Sequence, residues 1–243
     1  MATISLCRPE RRNALDDAVV AELRTAIRPL ADDPDVRVLV LRGEGPVFCG
    51  GANLADREHP GFVPGETGWI RRRHEAGRFQ RLLAELDDLP AVTVAAVQGW
   101  AIGGGFLLAL ACDLRVMQAE ARMWAAELAY GLPITAGGVQ RLVREVGMPK
   151  AREILLTARR VPAAEAAAIG LAHRVVEDLN AGVAELLDEL TAVPAPAQTM
   201  TRRALVALGR AGGFGLDWAD PDIHAWAAIE PSVLEAVLDG SAR

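Results

Sequence analysis

Two glycine runs in this sequence could gather backbone N–H groups around a single negatively charged oxygen. They are Gly50-Gly51 and Gly103-Gly104-Gly105, and each follows a stretch of strand-forming residues. A glycine run between a parallel strand and a helix leaves N–H groups free beyond the strand's carboxyl end, where the helix dipole favours negative charge. If neighbouring strands carry the two runs, their N–H groups can converge and stabilise an oxyanion, which suits the chemistry of an acyl compound.

The spacing of these glycines argues against two nucleotide-binding motifs and leaves one structural explanation open. The segment from Gly99 to Gly105 does not fit the G-x-G-x-x-G dinucleotide motif, and neither run ends in the Gly-Lys-Ser/Thr of a P-loop. The glycines could instead serve only to make tight turns and to let a helix pack closely on a strand. Spacing alone does not separate that role from oxyanion binding.

The elements that must position the glycines alternate along the chain, as in an α/β protein with mostly parallel, buried strands. The predicted strands are 3–6, 36–41, 92–97, 114–117, 122–124 and 173–176. The predicted helices are 15–30, about 69–89, 106–112, 139–146, 150–157, 162–169 and a region from 180 onward. Pro194 and Pro196 break that last region, so residues 197–243 are expected to form a helical piece whose apolar face needs a partner surface.

Composition and charge narrow the class of partner. The 243 residues are 51% hydrophobic and 24% charged with a formal net charge of −6, the wrong sign for a protein that wraps nucleic acid. The longest apolar stretches are much shorter than the roughly 20 residues that span a bilayer, and the N-terminus does not resemble a signal peptide. Cys7, Cys49 and Cys112 lack metal-like spacing and are expected to be reduced and buried. We therefore expect a cytoplasmic protein that binds no metal, nucleic acid or membrane.

Five motifs, in order, resemble the signature of the enoyl-CoA hydratase/isomerase (crotonase) superfamily, from Thr3 to about Val176. The motifs are RPERRNAL at 8–15, GEGPVFCGGANL at 43–54, GWAIGGG at 99–105, CD at 112–113 and GGVQRL at 137–142. The resemblance implies an α/β fold built as a ββα spiral over residues 1–196, with a helical trimerisation region over 197–243. It also implies an acyl-CoA ligand and a homotrimer or dimer of trimers.

The resemblance assigns roles to individual positions. Gly50 and Gly104 match the two residues whose N–H groups receive the thioester oxygen. The main-chain carbonyls of Phe48 and Ala52 match those that meet the adenine of CoA, and Arg8 matches a basic position near the CoA phosphates. No cofactor is implied beyond the CoA thioester, which is the substrate.

The acidic residues narrow the reaction. Hydratases of the superfamily carry two glutamates; the first position is Leu107 here and the second is Glu127. Adding water across a double bond is work that hydratases divide between two acids, whereas moving a double bond from the 3,4 to the 2,3 position needs one base. Leu107 with Glu127 resembles the mitochondrial type of Δ3,Δ2-enoyl-CoA isomerase, and Thr135 replaces the further acid of dienoyl-CoA isomerases. A single-base isomerase is therefore the favoured prediction.

Three alternatives stay open at this point. One is an enoyl-CoA hydratase of weak activity. The second is a specialised enzyme, such as a decarboxylase or hydrolase of an unusual acyl-CoA, using Glu127 or an acid among Asp56, Glu58 and Glu66. The third is a non-catalytic acyl-CoA-binding protein on a former enzyme scaffold. Trp100 could line the acyl pocket or belong to the core.

Overall fold

The structure, a computed structural model, describes residues 1–52 and 68–211 of the chain. The strands are β1 (Ala2–Leu6), β2 (Val38–Gly43), β3 (Val92–Val97), β4 (Trp100–Ile102), β5 (Leu114–Gln118), β6 (Arg122–Trp124), β7 (Arg160–Pro162) and β8 (Arg174–Val176). The helices are α1 (Asp17–Ala31), α2 (Gly68–Asp88), α3 (Gly104–Leu110), α4 (Gly138–Leu156), α5 (Ala163–Ala168), α6 (Leu179–Ala192) and α7 (Ala195–Ala211). Short 3-10 turns occupy Pro9–Arg11 and Glu127–Tyr130.

The larger sheet is parallel throughout, with the strand order β1-β2-β3-β5-β8. Its central strand β3 is buried along its whole length, which explains why five of its six residues, all except Thr93, are apolar instead of alternating with polar ones. Helix α1 begins where the Asp16 carboxylate accepts a hydrogen bond from the Val19 N–H, at 2.9 Å. The expected α/β fold with a parallel sheet is confirmed.

Helices cover both faces of this sheet. On one face, α1, α2 and α3 enclose the main core together with Leu39, Leu41 and Val97. On the other face, Leu186 of α6 packs in a smaller cluster with one valine from each of three strands, Val38, Val94 and Val116. Alternate residues of each strand therefore serve two different cores.

The smaller sheet has the order β4-β6-β7, in which β4 and β6 are parallel and β6 and β7 are antiparallel. Ala101, Met123 and Val161, one from each strand, are fully buried on its inner side. Strands β4 and β7 were not predicted, because each is defined by its pairing with β6 and not by a pattern in its own residues. This sheet matters for the site, since β4 leads directly into Gly103.

Two features of the C-terminal half differ from expectation. The helices predicted at 139–146 and 150–157 form one element, α4, kinked at Gly147, where φ is +74°. Helix α7 begins at Ala195, so the boundary predicted after residue 196 falls within its first turn. The division into 1–196 and 197–243 stays a prediction, and residues 212–243 lie outside the described part of the chain.

The cysteine prediction holds for two of the three residues. Cys49 and Cys112 are buried, but Cys7 is exposed, because it follows the last residue of the edge strand β1. Within the described ranges, no helix is both long and apolar enough to cross a membrane.

Candidate active site

The two glycine runs meet in the structure. Cys49 pairs with Ala101 of β4 in a parallel bridge, which brings the first run alongside the start of the second. A Cβ added to Gly51 would lie 2.6 Å from the Ile102 carbonyl oxygen and 3.5 Å from the Gly104 nitrogen. Gly51 also has φ +85°, so both the space and the backbone conformation require glycine here.

The amides of the two runs differ in what they already bind. The Gly50 N–H donates a hydrogen bond to the Arg12 carbonyl oxygen at 2.8 Å, so it is not available to bind a thioester oxygen. The assignment of Gly50 as an oxyanion donor is therefore corrected. The N–H groups of Ala52 and Gly104 donate to no residue within 1–52 and 68–211. Helix α3 begins at Gly104, where an N–H has no intrahelical acceptor.

Glu127 lies directly beside the second glycine run. A Cβ on Gly103 would be 3.2 Å from Glu127 Oε1, and Gly103 has φ +50°, so a larger residue would displace the carboxyl group. The residue is partly exposed, but its Oε2 atom is buried and has no hydrogen-bond partner among residues 1–52 and 68–211. Burial raises the pKa of Glu127 to about 7, although its own backbone N–H partly offsets this. A carboxyl group with this pKa can both take up and release a proton near neutral pH.

Leu107 occupies the position where the hydratases carry their other glutamate. Its side chain is buried, and a Cβ on Gly138 would be 2.5 Å from Leu107 Cδ2 and 3.0 Å from Ile134 Cγ2. Leu107 is thus packed between α3 and the start of α4 in apolar surroundings. Asp56, Glu58 and Glu66, which the specialised-enzyme alternative invokes, lie outside the described residues.

Apolar side chains flank the start of α3. A Cβ added to Gly104 would lie 3.1 Å from Leu15 Cδ1 and 3.7 Å from Phe79 Cζ. The site therefore combines two amides that have no acceptor in the described part of the chain, one carboxyl group with a buried oxygen, and apolar walls. Such an arrangement can bind an acyl oxygen, exclude water and move a proton.

Comparison with known families agrees with this arrangement. The sequence model of the enoyl-CoA hydratase/isomerase family matches residues 1–208 of the chain. The chain belongs to the enoyl-CoA hydratase/isomerase family. The crotonase resemblance seen in the five motifs is confirmed, since that family model spans all of them.

Three similar proteins place the chain within the family. The bovine (Bos taurus) enoyl-CoA hydratase domain-containing protein 2, mitochondrial, is 42% identical over 183 residues, covering 75% of this chain and 60% of the bovine protein. An enoyl-CoA hydratase from Mycobacterium avium subsp. paratuberculosis K-10 superimposes with a TM-score of 0.86 at 26% identity, covering 98% of this chain and 91% of that one. A protein from Thermobifida fusca YX, solved in complex with acetoacetyl-CoA, has a TM-score of 0.76 at 37% identity, covering 93% and 89%.

These similarities place the chain in the family but do not favour one reaction. The bovine and mycobacterial proteins are both called hydratases, so they give no support to the predicted preference for isomerase over hydratase. The chain spans about 60% of the length of the bovine relative that it matches. The bovine protein is mitochondrial by name, and a cytoplasmic location for this chain stays a prediction.

The residues expected to hold CoA in this family are placed as follows. The Arg8 guanidinium forms an ion pair with Asp16, which raises the Arg8 pKa through their hydrogen bond. The Phe48 carbonyl faces Gly43, whose Cβ would lie only 2.3 Å from that oxygen. Ala52 is exposed at the edge of the described residues. Their contacts with phosphates or adenine stay predictions.

Several contacts around the site were not anticipated from the sequence. The Arg160 guanidinium carbon lies 5.8 Å from the Trp100 ring centroid and 5.0 Å from that of Trp124. Asp113 accepts hydrogen bonds from Thr93 and from Arg202 of α7. Partners so distant in sequence leave no local pattern. Trp100, Trp124 and Arg160 lie in three different short strands. Their contacts could be recognised only after the pairing of those strands was known.

Proposed function

We propose that this chain binds an acyl-CoA and moves a carbon–carbon double bond from the 3,4 to the 2,3 position, with Glu127 as the only base. The buried, unpaired carboxyl of Glu127 against Gly103, with Leu107 in place of a second acid, carries the proposal. The chain's membership of the enoyl-CoA hydratase/isomerase family does not depend on this reaction.

In the proposed reaction, the thioester oxygen accepts hydrogen bonds from the N–H groups of Ala52 and Gly104. These donors stabilise the negative charge that develops on the oxygen when C2 loses a proton, and one such donor typically contributes about 3 to 4 kcal/mol. The Glu127 carboxylate takes the proton from C2, and the electron pair moves into the enolate. The protonated carboxyl then returns the proton to C4, so atoms and electrons balance without a redox partner.

Apolar surroundings favour this single-acid reaction over hydration. Leu107 lies against Ile134 and Gly138, and none of the three offers a group that could activate water. Glu127 alone would have to deprotonate water and also supply the proton for C2, the work that two acids divide in the hydratases.

Hydration is the second candidate, because the bovine and mycobacterial relatives carry the hydratase name. A decarboxylase, a hydrolase and a non-catalytic acyl-CoA-binding protein are the remaining outcomes. One panel of 3-enoyl-CoA, crotonyl-CoA and malonyl-CoA distinguishes all of these.

The decisive variant is Glu127→Gln, which keeps the side-chain shape and removes the base. Isomerisation of the 3-enoyl thioester should fall by roughly 10² to 10⁴-fold in steady-state assays, while binding of the CoA thioester survives. Glu120→Gln is the matched control, because Glu120 is exposed in the turn between β5 and β6. Full isomerase activity in Glu127→Gln, or rapid hydration of crotonyl-CoA by the wild type, would refute the single-base proposal.

We also propose that the chain forms a trimer or a dimer of trimers. Met200, Leu205 and Leu208 of α7 are 72%, 64% and 71% exposed, which leaves large apolar side chains in water. Sedimentation at micromolar concentration should show the oligomer, and a monomer alone would overturn this proposal.

A further inference from the structure

Two hydrogen bonds attach the first glycine run to the turn between β1 and α1. The Arg12 carbonyl oxygen accepts from the Gly50 N–H at 2.8 Å, and the Leu15 N–H donates to the Gly51 carbonyl oxygen at 2.7 Å. In a trans peptide the carbonyl of one residue and the N–H of the next point in opposite directions. The hydrogen bond from Leu15 therefore sets the direction of the Ala52 N–H, which points away from this turn.

This turn has a backbone conformation that few residues adopt. Arg12 and Asn13 have φ of +54° and +53°, in the left-handed region that residues other than glycine, asparagine and aspartate rarely enter. Two consecutive residues of this kind persist only where the surrounding structure holds them. The positions of the Arg12 carbonyl and the Leu15 N–H follow from this conformation, so they depend on whatever fixes the turn.

The Asn13 side chain supplies three contacts that fix the turn. The residue is only 1% exposed. Its Oδ1 accepts a hydrogen bond from the Arg8 N–H at 2.9 Å, within the turn itself. Its Nδ2 donates to the carbonyl oxygens of Glu44 and Val47, at 2.9 and 2.7 Å. One buried amide therefore closes the turn and attaches it to the loop that leads from β2 to the first glycine run.

We propose that Asn13 is a positioning residue for acyl-CoA chemistry: its buried amide fixes the turn whose Leu15 N–H directs the Ala52 N–H toward the thioester oxygen. This inference rests on the proposed function, because it takes Ala52 as one of the two oxyanion donors. The role requires a side chain that accepts one hydrogen bond and donates two. Among short side chains only the asparagine amide does both, since a carboxylate does not donate and a hydroxyl has a single proton.

Gln98 provides a matched control at the start of the same loop. Its Nε2 also donates to two main-chain carbonyl oxygens, those of Gly43 at 2.6 Å and Gly45 at 3.1 Å. Its Oε1 has no hydrogen-bond partner in the described part of the chain, so its side chain does not bond the turn between β1 and α1 there. Gln98 therefore anchors the loop with the same chemical group without holding the turn.

The test compares Asn13→Gly, Asn13→Asp and Gln98→Ala in the full chain. Glycine removes the amide and still adopts a positive φ without strain. Aspartate keeps the acceptor for the Arg8 N–H and loses both donated hydrogen bonds. The probe is hexa-2,4-dienoyl-CoA, whose absorption shifts to longer wavelength when hydrogen bonds polarise the thioester carbonyl.

Both Asn13 variants should lose most of this shift. They should also lower kcat for the 3-enoyl thioester about tenfold, because a displaced donor no longer meets the oxygen on which charge develops. The Kd of the probe should stay within about threefold of wild type, since one donor is misdirected and the rest of the site is unchanged. Gln98→Ala should keep the shift, with kcat within about twofold of wild type.

Circular dichroism first establishes which variants fold. A folded Asn13→Gly or Asn13→Asp that keeps the shift or the kcat of wild type overturns the role of Asn13. Equal losses in Gln98→Ala also overturn it, because loosening the loop alone would then explain them. If neither Asn13 variant folds, Asn13 serves folding and the positioning role is wrong.

The same measurements separate this inference from the proposed function. A wild type that binds the probe without an absorption shift contradicts the oxyanion site, and the role of Asn13 is overturned with it. A wild-type shift without isomerase turnover contradicts only the reaction proposed above. The shift in the Asn13 and Gln98 variants then decides the role of Asn13 without reference to kcat.

Discussion

Partly buried carboxyl groups have different partners in two regions of this molecule. Near the end of α2, Asp87 receives two hydrogen bonds from Arg141, at 2.8 and 2.6 Å. Asp113 nearby receives one from Arg202 Nε, at 2.6 Å. At the glycine runs, Glu127 Oε2 is buried and has no hydrogen-bond partner in the described part of the chain. One region pairs its carboxylates with arginines, whereas in the other no cation of the described residues pairs with the carboxyl group.

The paired carboxylates of Asp87 and Asp113 stabilise the fold, whereas the carboxyl group of Glu127 is suited to proton transfer. Arg202 also donates to the carbonyl oxygens of Leu86, Asp87 and Leu89, so it attaches α7 to the carboxyl end of α2. A carboxylate paired in this way holds two elements of the fold together. Glu127 can exchange its proton, and burial of its charged form lowers the stability of the folded protein.

The largest expected effect on stability comes from removing Arg202, the partner of Asp113. Arg202→Ala should lower the free energy of unfolding by about 3 to 5 kcal/mol, because it leaves the partly buried Asp113 carboxylate and several carbonyls without a donor. Chemical denaturation measures this. Arg203→Ala, at the exposed next position on α7, is the control and should differ little from wild type. Similar losses in the two variants would mean that the arginine does not anchor the helix.

The second effect concerns the pH dependence of the unpaired region. Because the pKa of Glu127 is about 7, kcat/KM for a 3-enoyl-CoA should be constant above pH 7 and fall about tenfold per pH unit below it. Rates measured from pH 5 to pH 9 should therefore span about two orders of magnitude. The residual rate of Glu127→Gln should not decrease in this way at low pH. An activity that stays level down to pH 5 would contradict the assignment of the base.

The third effect is on stability and has the opposite sign to the first. The folded-state pKa of Glu127 lies above its ordinary value of 4.5, so ionisation lowers stability progressively from about pH 4.5 to pH 7 and by a constant amount above that. Glu127→Gln should therefore be more stable than wild type by roughly 1 to 3 kcal/mol at pH 8, with no difference near pH 4. Urea unfolding at both pH values tests this, and Glu120→Gln should show no gain at pH 8.

The smallest effect is expected where charges are paired but exposed. Arg28 lies 3.2 Å from Glu85 with its side chain 60% exposed, and Glu85 keeps a second, better shielded partner in Arg24 at 2.7 Å. Arg28→Ala should change the free energy of unfolding by less than about 0.5 kcal/mol. Chemical denaturation measures this change. If the free energy of unfolding fell by more than about 1 kcal/mol, exposure would not explain the expected difference between the Arg28–Glu85 and Arg202–Asp113 pairs.

Much of the fold could be predicted because the pattern that encodes it is local. Strand β3 was predicted with the bounds it has, since five of its six residues, all except Thr93, are apolar. Helix α1 was predicted from an apolar stripe with a period of 3.6 residues, and its buried side chains include Val19, Leu23 and Ile27. Strands β4 and β7 were missed because their stability comes from pairing with β6 rather than from their own residues.

The sequence by itself determined which chemical groups the site contains: two glycine runs, one glutamate at 127 and a leucine at 107. Only the tertiary structure decided which of them are available. The Gly50 amide was assigned to the site from its motif. In the structure, it donates its hydrogen bond to the carbonyl oxygen of Arg12, 38 positions earlier. The pKa of Glu127 likewise follows from its burial beside Gly103, which no local pattern records. Residue type is a local property, whereas hydrogen-bond occupancy and desolvation depend on neighbours that folding brings together from distant parts of the chain.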